Sequence, residues 1–249
     1  MKIYGLIGYP LVHSFSRAFF TDKFQREGIE AEYLNFEIAS IERFPEIIRE
    51  QPLLQGLNVT LPYKQQVMPY LDDLSDEARA IGAVNAIRVT HREDGTTFLK
   101  GFNADVIGFE RSIRPLLRKE HTRALMLGTG GASKAVRFGL QRLGLETLYV
   151  SRHPGEGQIG YDDLTPELMR EWRVIVNCSP CGMFPHVDEC PRIPYELLTP
   201  DHLLYDLVYN PEETRFLAQG RMRGATVKNG LEMLHLQALA GWDFWNGKE

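Results

Sequence analysis

The chain has 249 residues and sets 28 lysines and arginines against 33 aspartates and glutamates, a formal charge of −5 at neutral pH. This length is enough to bury the core of one large α/β domain or two ordinary ones, and so mild an acidity leaves no electrostatic footprint for a nucleic acid. No stretch approaches the roughly 18 to 20 apolar residues of a membrane helix, the opening MKIYGLIGYPLVHS does not read as a cleaved leader, and cysteines at 178, 181 and 190 alone are too few for a disulfide framework; a soluble, cytoplasmic protein without membrane partners is expected.

In chain order, KIYGLIG, AEYLNFEI and GLNVT read as strands, with helical spacing at about 14–27 and 41–50 between them. VNAIRVT and TTFLKGF flank Asp94-Gly95, a dipeptide that tolerates positive φ, and predict a hairpin adding antiparallel strands to a parallel sheet. After a helix over about 104–117 and a polar linker at 118–122, a second series of strands follows: RALMLG, TLYVSR, RVIVNC, LLYDLVY and ATVKN. Helices are expected at 132–143, 166–172 and 211–222 within this series, and a last helix at 231–245 with Leu231, Leu234, Ala238 and Trp242 on its apolar face. Strands alternating with crossover helices define an α/β protein, and the last helix, with no strand after it, can return to the first domain.

The segment RALMLGTGGASKAVRFGL places glycines where a strand turns into a helix. Gly128 permits the tight turn, Gly130 lets the backbone approach a pyrophosphate, and the helix start offers N–H groups and its positive dipole end. Ser133 stands where the third glycine of G-x-G-x-x-G is usual. The next strand ends in Ser151-Arg152, where an NAD site usually carries an acidic residue for the ribose hydroxyl. A guanidinium pairs with a 2′-phosphate and a carboxylate repels it, so NADP is the expected cofactor; the plainer alternative makes Arg152 a solvated loop charge.

Three polar clusters fall at or near the ends of first-domain strands: HSFS at 13–16, NVTLPYK at 58–64 and GAVNAI at 82–87. Hydroxyls, amides and one lysine make a site for a neutral-to-anionic polyol, although Ser14 or Ser16 taken singly also reads as a helix cap. Cys178, Cys181, His186 and Cys190 offer another reading, one residue short of the spacing of a zinc knuckle. The thiol of Cys178 closes an apolar strand, and no basic patch accompanies the four, so no metal is expected.

GYPLVHSFS, GLNVTLPYK, GAVNA, GFNAD, GTGGAS, VNCSPCGM, DLVYNPEET and GLEMLHLQALAGWDFW together resemble, in order and over nearly the whole chain, the signature segments of the shikimate dehydrogenase family. The resemblance implies an N-terminal substrate-binding α/β domain with a mixed sheet and a Rossmann-like NADP-binding domain, divided as 1–103 plus 231–249 and 104–230; two domains joined through a hinge suggest closure on binding. It implies reversible NADPH-dependent reduction of 3-dehydroshikimate by a monomer or homodimer. Ser14 and Ser16 would bind the substrate carboxylate, Asn58, Thr60, Asn85, Asp105 and Gln237 its hydroxyls, and Lys64 and Asp105 would form the catalytic pair, with the proton donor of the two left open. Gly128, Gly130, Gly131, Ala132, Ser151 and Arg152 would hold the dinucleotide, and Met183, Tyr209 and Gly230 would lie by the nicotinamide. Two departures stand out: Ala104 where the family usually has Thr, and Ser151 where it often has Asn. A quinate/shikimate dehydrogenase using NAD, and a dinucleotide-binding protein without turnover, remain as alternatives.

Overall fold

Apolar residues at every second position of the first strand serve two layers at once: Tyr4 and Leu6 enter one core cluster, and Ile7 enters another. The computed structural model describes residues 1–11 and 15–248, and the chain divides into two units, 1–104 with 238–249 and 105–237.

The first unit contains β1 (Lys2–Gly8), α1 (Phe15–Glu27), β2 (Ala31–Glu37), α2 (Phe44–Glu50), β3 (Leu54–Val59), α3 (Tyr63–Gln66), β4 (Asp73–Leu74), α4 (Asp76–Ile81), β5 (Ala86–His91) and β6 (Thr97–Phe102). Its sheet runs β2-β1-β3-β5-β6-β4. The first three strands are parallel, whereas β5 is antiparallel to both β3 and β6, which is the expected hairpin. One face packs Ile7, Leu57, Val59 and Ile87 with Phe44 and Ile47 of α2. On the other, Tyr4, Tyr33 and Ala86 meet Phe20 and Phe24 of α1 and the end of α9 (Leu231–Trp245). Trp245 fits closely there: a Cβ on Gly56 would lie 2.5 Å from its ring.

The second unit contains β7 (Arg123–Leu127), α6 (Ser133–Arg142), β8 (Glu146–Val150), β9 (Gln158–Ile159), α7 (Pro166–Glu171), β10 (Val174–Asn177), β11 (Leu203–Asp206), α8 (Arg215–Met222) and β12 (Thr226–Lys228), together with all but the first residue of α5 (Ala104–Ile113) and the first turns of α9. All six strands are parallel in the order β12-β11-β10-β7-β8-β9. Residues of α5, α6 and α9 cover one face, and residues of α7 and α8 cover the other, the doubly wound arrangement. Close approach of α5 to α9 depends on Gly108, where a Cβ would sit 2.6 Å from the Met233 carbonyl oxygen.

Several boundaries differ from the sequence reading. The helix expected from 211 starts at Arg215, because Thr214 is its N-cap and accepts from the Leu217 N–H. The buried face of α9 is Met233, Ala238, Ala240, Phe244 and Trp245, while Leu231 is exposed. The short α3, α4, β4 and β9 carry too little periodicity to be read in advance.

Candidate active site

In the first unit the described residues of the polar clusters lie in the first turn of α1, at the carboxyl end of β3 and just beyond it, and at the start of β5. Asn58 is the second-last residue of β3 and its side chain is buried, with its Oδ1 accepting the Tyr33 hydroxyl at 2.7 Å. With Oδ1 occupied, the Asn58 amide presents Nδ2 as a donor, and it makes a long contact of 3.4 Å to the Asn85 carbonyl. The Asn85 side chain accepts the Ala104 N–H at 2.6 Å, tying the start of β5 to the start of α5. Burial drives the Tyr33 phenol far above its ordinary range, with a hydrogen bond from Ser16 opposing the shift. Ser16 is thus held against the same tyrosine from the first turn of α1, inside the helix and not at its cap.

Thr60 is half-buried, and its methyl group lies where a Cβ on Gly8 would have to go, at 2.4 Å. Lys64 is half-buried in the one-turn α3, anchored by a 2.7 Å bond from the Val84 N–H to its carbonyl. The structure therefore assembles Ser16, Asn58, Thr60, Lys64 and Asn85 in one unit, whereas Ser14 lies outside the described residues. Asp105 and Gln237 belong to the second unit: Asp105 is 8% exposed in the first turn of α5, and Gln237 is half-buried on α9.

In the second unit the sheet order reverses between β7 and β10, the place where open α/β sheets bind ligands. The two loops leaving those strands touch there. Gly128 has φ +97°, a conformation that favours glycine, and a Cβ on it would lie 3.1 Å from the Ser179 Cβ. Ser133 closes the turn, since its N–H and its hydroxyl both donate to the Gly130 carbonyl at 3.0 and 2.6 Å. A side chain thereby does the fastening, which explains how a serine serves at the third glycine position. Among the described residues the N–H groups of Gly131 and Ala132 have no acceptor, and they precede α6 where an anion is favoured.

At the end of β8 the Ser151 hydroxyl accepts the His153 N–H at 3.2 Å, and Arg152 is exposed. Burial raises the Tyr161 phenol and the Cys181 thiol, and the Arg152 guanidinium pulls both back. Unpaired N–H groups, a tight glycine turn and a cation at the strand end in place of a carboxylate fit a phosphorylated dinucleotide.

Further along the same strand ends, Met183 and Tyr209 are exposed on two loops joined by the Phe184 N–H to the Asn210 carbonyl at 3.0 Å. Gly230 admits no side chain: a Cβ would fall 2.1 Å from the Leu207 carbonyl oxygen. Cys178 is buried in the core, His186 is exposed, and no metal-binding group of His, Cys, Asp or Glu occurs among the described residues.

A family model described as the shikimate dehydrogenase substrate binding domain matches residues 6–87. A shikimate dehydrogenase (NADP(+)) of Desulforamulus reducens is 34% identical, the alignment covering 99% of this chain and 90% of the relative. The chain belongs to the shikimate dehydrogenase family. Among solved structures, shikimate 5-dehydrogenase of Thermus thermophilus in complex with NADP(H) and shikimate matches with TM-score 0.84 and 32% identity over 99% of this chain and 94% of that one. A quinate dehydrogenase of Corynebacterium glutamicum in complex with NAD matches with TM-score 0.86 and 25% identity over 99% and 94%. As in those shikimate dehydrogenases, the fold is an N-terminal substrate-binding α/β domain with a mixed sheet joined to a Rossmann-like NADP-binding domain.

Within this shikimate dehydrogenase fold, two buried polar residues were not singled out from the sequence. Tyr33 reads as a core aromatic in a strand, and only the pairing of β2 with β1 and of β1 with β3 brings its hydroxyl to Asn58. Asp206 lies inside the quoted DLVYNPEET, yet only its complete burial at the end of β11 marks it.

Proposed function

We propose that the chain catalyses the reversible NADPH-dependent reduction of 3-dehydroshikimate to shikimate in aromatic amino acid biosynthesis, in the cytoplasm, as a monomer or homodimer. The observation that carries this reading is that the chain has both a neutral polyol cradle, Ser16-Tyr33-Asn58-Asn85, and a glycine turn whose neighbouring strand is followed by Arg152 two residues past its end. Residues 1–103 with 231–249 form the substrate domain in this proposal, and 104–230 form the cofactor domain. No helix among the described residues is long and apolar enough to cross a membrane, in keeping with that setting.

When bound, the nicotinamide supplies or accepts the hydride at the ring carbon. The chain's own residues do the rest. Ser14 and Ser16 hold the substrate carboxylate, and Asn58, Thr60, Asn85 and Gln237 orient its hydroxyls. Lys64 and Asp105 carry the proton that must reach or leave the ring oxygen as hydride moves. The Gly128–Ala132 turn receives the pyrophosphate, Ser151 and Arg152 the phosphorylated ribose, and Met183, Tyr209 and Gly230 border the nicotinamide.

Absorbance at the reduced-nicotinamide band, followed with shikimate or quinate against NADP or NAD, tests the proposal in one four-way comparison. Turnover with shikimate and NADP above the other three pairs is expected. Preference for quinate with NAD would move the chain to the alternative specificity, and no turnover with any pair would leave only dinucleotide binding.

A further inference from the structure

Asp206 is the last residue of β11 and is 0% exposed. Three donors from separate pieces of chain converge on its carboxylate. Asn177 Nδ2, at the end of β10, and the Val208 N–H reach Oδ1 at 2.9 and 3.0 Å, and the Thr214 hydroxyl reaches Oδ2 at 2.6 Å. Among the described residues no basic side chain pairs with it. Asn177 extends the contact outward, because its Oδ1 accepts both the N–H and the hydroxyl of Ser179 and its Nδ2 also reaches the Cys181 carbonyl. Thr214 extends it the other way as the N-cap of α8. The two loops that start from this carboxylate meet again at Phe184 and Asn210, and they carry Met183 and Tyr209.

We propose that Asp206 is a positioning residue whose carboxyl group fastens the loop after β10 to the loop after β11 and so shapes the seat of the nicotinamide. The inference rests on the reading of the second unit as the cofactor domain. An apolar residue at 206 would leave the Val208 N–H and one of the two N–H bonds of the Asn177 amide buried without an acceptor, the other keeping the Cys181 carbonyl. Asparagine can keep both bonds through its oxygen while its Nδ2 donates to Thr214, whose hydroxyl can turn to accept.

The charge state gives the discriminating readout. Burial raises the pKa of Asp206 from an ordinary 3.8 to about 6, against the pull of its three donors. Fastened loops therefore bind the proton more tightly than opened ones. The fastening is fullest below about pH 4, weakens as the pH rises toward about 6 and is level above that. Other titratable groups facing Asp206 stay neutral through this range, since burial raises Cys178, Cys181 and Tyr195. On the α8 side, Glu213 and Arg215 are paired with Arg221 and Asp188 at the surface.

The test is amide hydrogen exchange of the 179–184 and 207–214 segments, corrected for intrinsic rates, with NADPH and shikimate affinities, for the wild type, Asp206→Asn and Asp206→Ala between pH 4.5 and 7.5. Loop opening in the wild type is expected to rise roughly tenfold or more across that span and then level off. Asp206→Asn should give a flat profile. Asp206→Ala should open the loops at every pH and weaken NADPH roughly tenfold while shikimate affinity holds. If Asp206→Ala does not fold, the asparagine profile decides. Identical loop profiles for wild type and Asp206→Asn overturn the proposal, as does equal weakening of NADPH and shikimate. If the loops behave as stated but no protein binds NADPH, the fastening is upheld and the cofactor reading of the unit falls.

Discussion

In the first unit the strand ends carry neutral amides and hydroxyls bonded to one another, Tyr33 to Asn58 and Asn85 to the start of α5. In the second they carry a turn of bare backbone and a carboxylate sealed beneath two loops. The contrast follows from what each unit has to recognise. A ring bearing several hydroxyls is told from its relatives by the direction of each hydrogen bond, which calls for side chains whose donors and acceptors are fixed in advance. A dinucleotide offers charge along an extended phosphate chain, and N–H groups at a helix start meet that charge with little side-chain chemistry. Direction is the currency of the first unit, and shape and charge that of the second.

The largest expected effect comes from removing the lysine of the proposed proton route. Lys64→Ala should lower kcat by roughly 10²- to 10⁴-fold, the usual range for loss of a positioned acid or base. NADPH affinity, measured by fluorescence titration, should stay within twofold of the wild type, or about 0.4 kcal/mol. Near-normal kcat would remove Lys64 from the chemistry. A matched loss of NADPH affinity would show that the division of labour between the units is wrong.

A smaller effect probes the second unit by itself. Arg152→Ala should weaken NADPH by roughly 10- to 100-fold, about 1.5 to 3 kcal/mol for a bond to a charged group, and leave NADH almost unchanged. Equal losses for the two cofactors would return Arg152 to the status of a solvated charge, and the preference for the phosphorylated ribose would then need another source.

How much of this was legible in the sequence depends on whether the signal is local. The strands from Lys2 to Gly8 and from Arg123 to Leu127, the hairpin about Asp94-Gly95 and the turn at Gly128 all announce themselves within a dozen residues, through apolar runs and glycines. The fastening of Ser133 to Gly130 was not readable, because a serine at that place looks like a broken motif until its hydroxyl is seen to close the turn. The helix after Pro211 starts late for a related reason: Thr214 serves at once as cap and as donor to Asp206, a partner eight residues earlier. Asp206 itself was hidden since an aspartate at a strand end is ordinary, and its burial depends on loops that are far apart in the chain.

Tyr33 gives the smallest and most pointed test. Its hydroxyl is the group that holds Asn58 with the oxygen turned inward and Nδ2 left to donate. Tyr33→Phe removes one oxygen from a position that is otherwise core, so the strand and its packing with Phe20, whose ring stacks at 5.0 Å, should survive. What should change is the orientation of the Asn58 amide, no longer biased toward donation. The KM for shikimate is expected to rise about five- to tenfold, near 1 kcal/mol for one lost hydrogen bond, while the KM for NADPH stays put. Thermal unfolding monitored alongside separates orientation from stability: a large drop in Tm with both KM values disturbed would make Tyr33 a structural residue, whereas a shift confined to the polyol shows that direction in the first unit is set one residue behind the side chain that uses it.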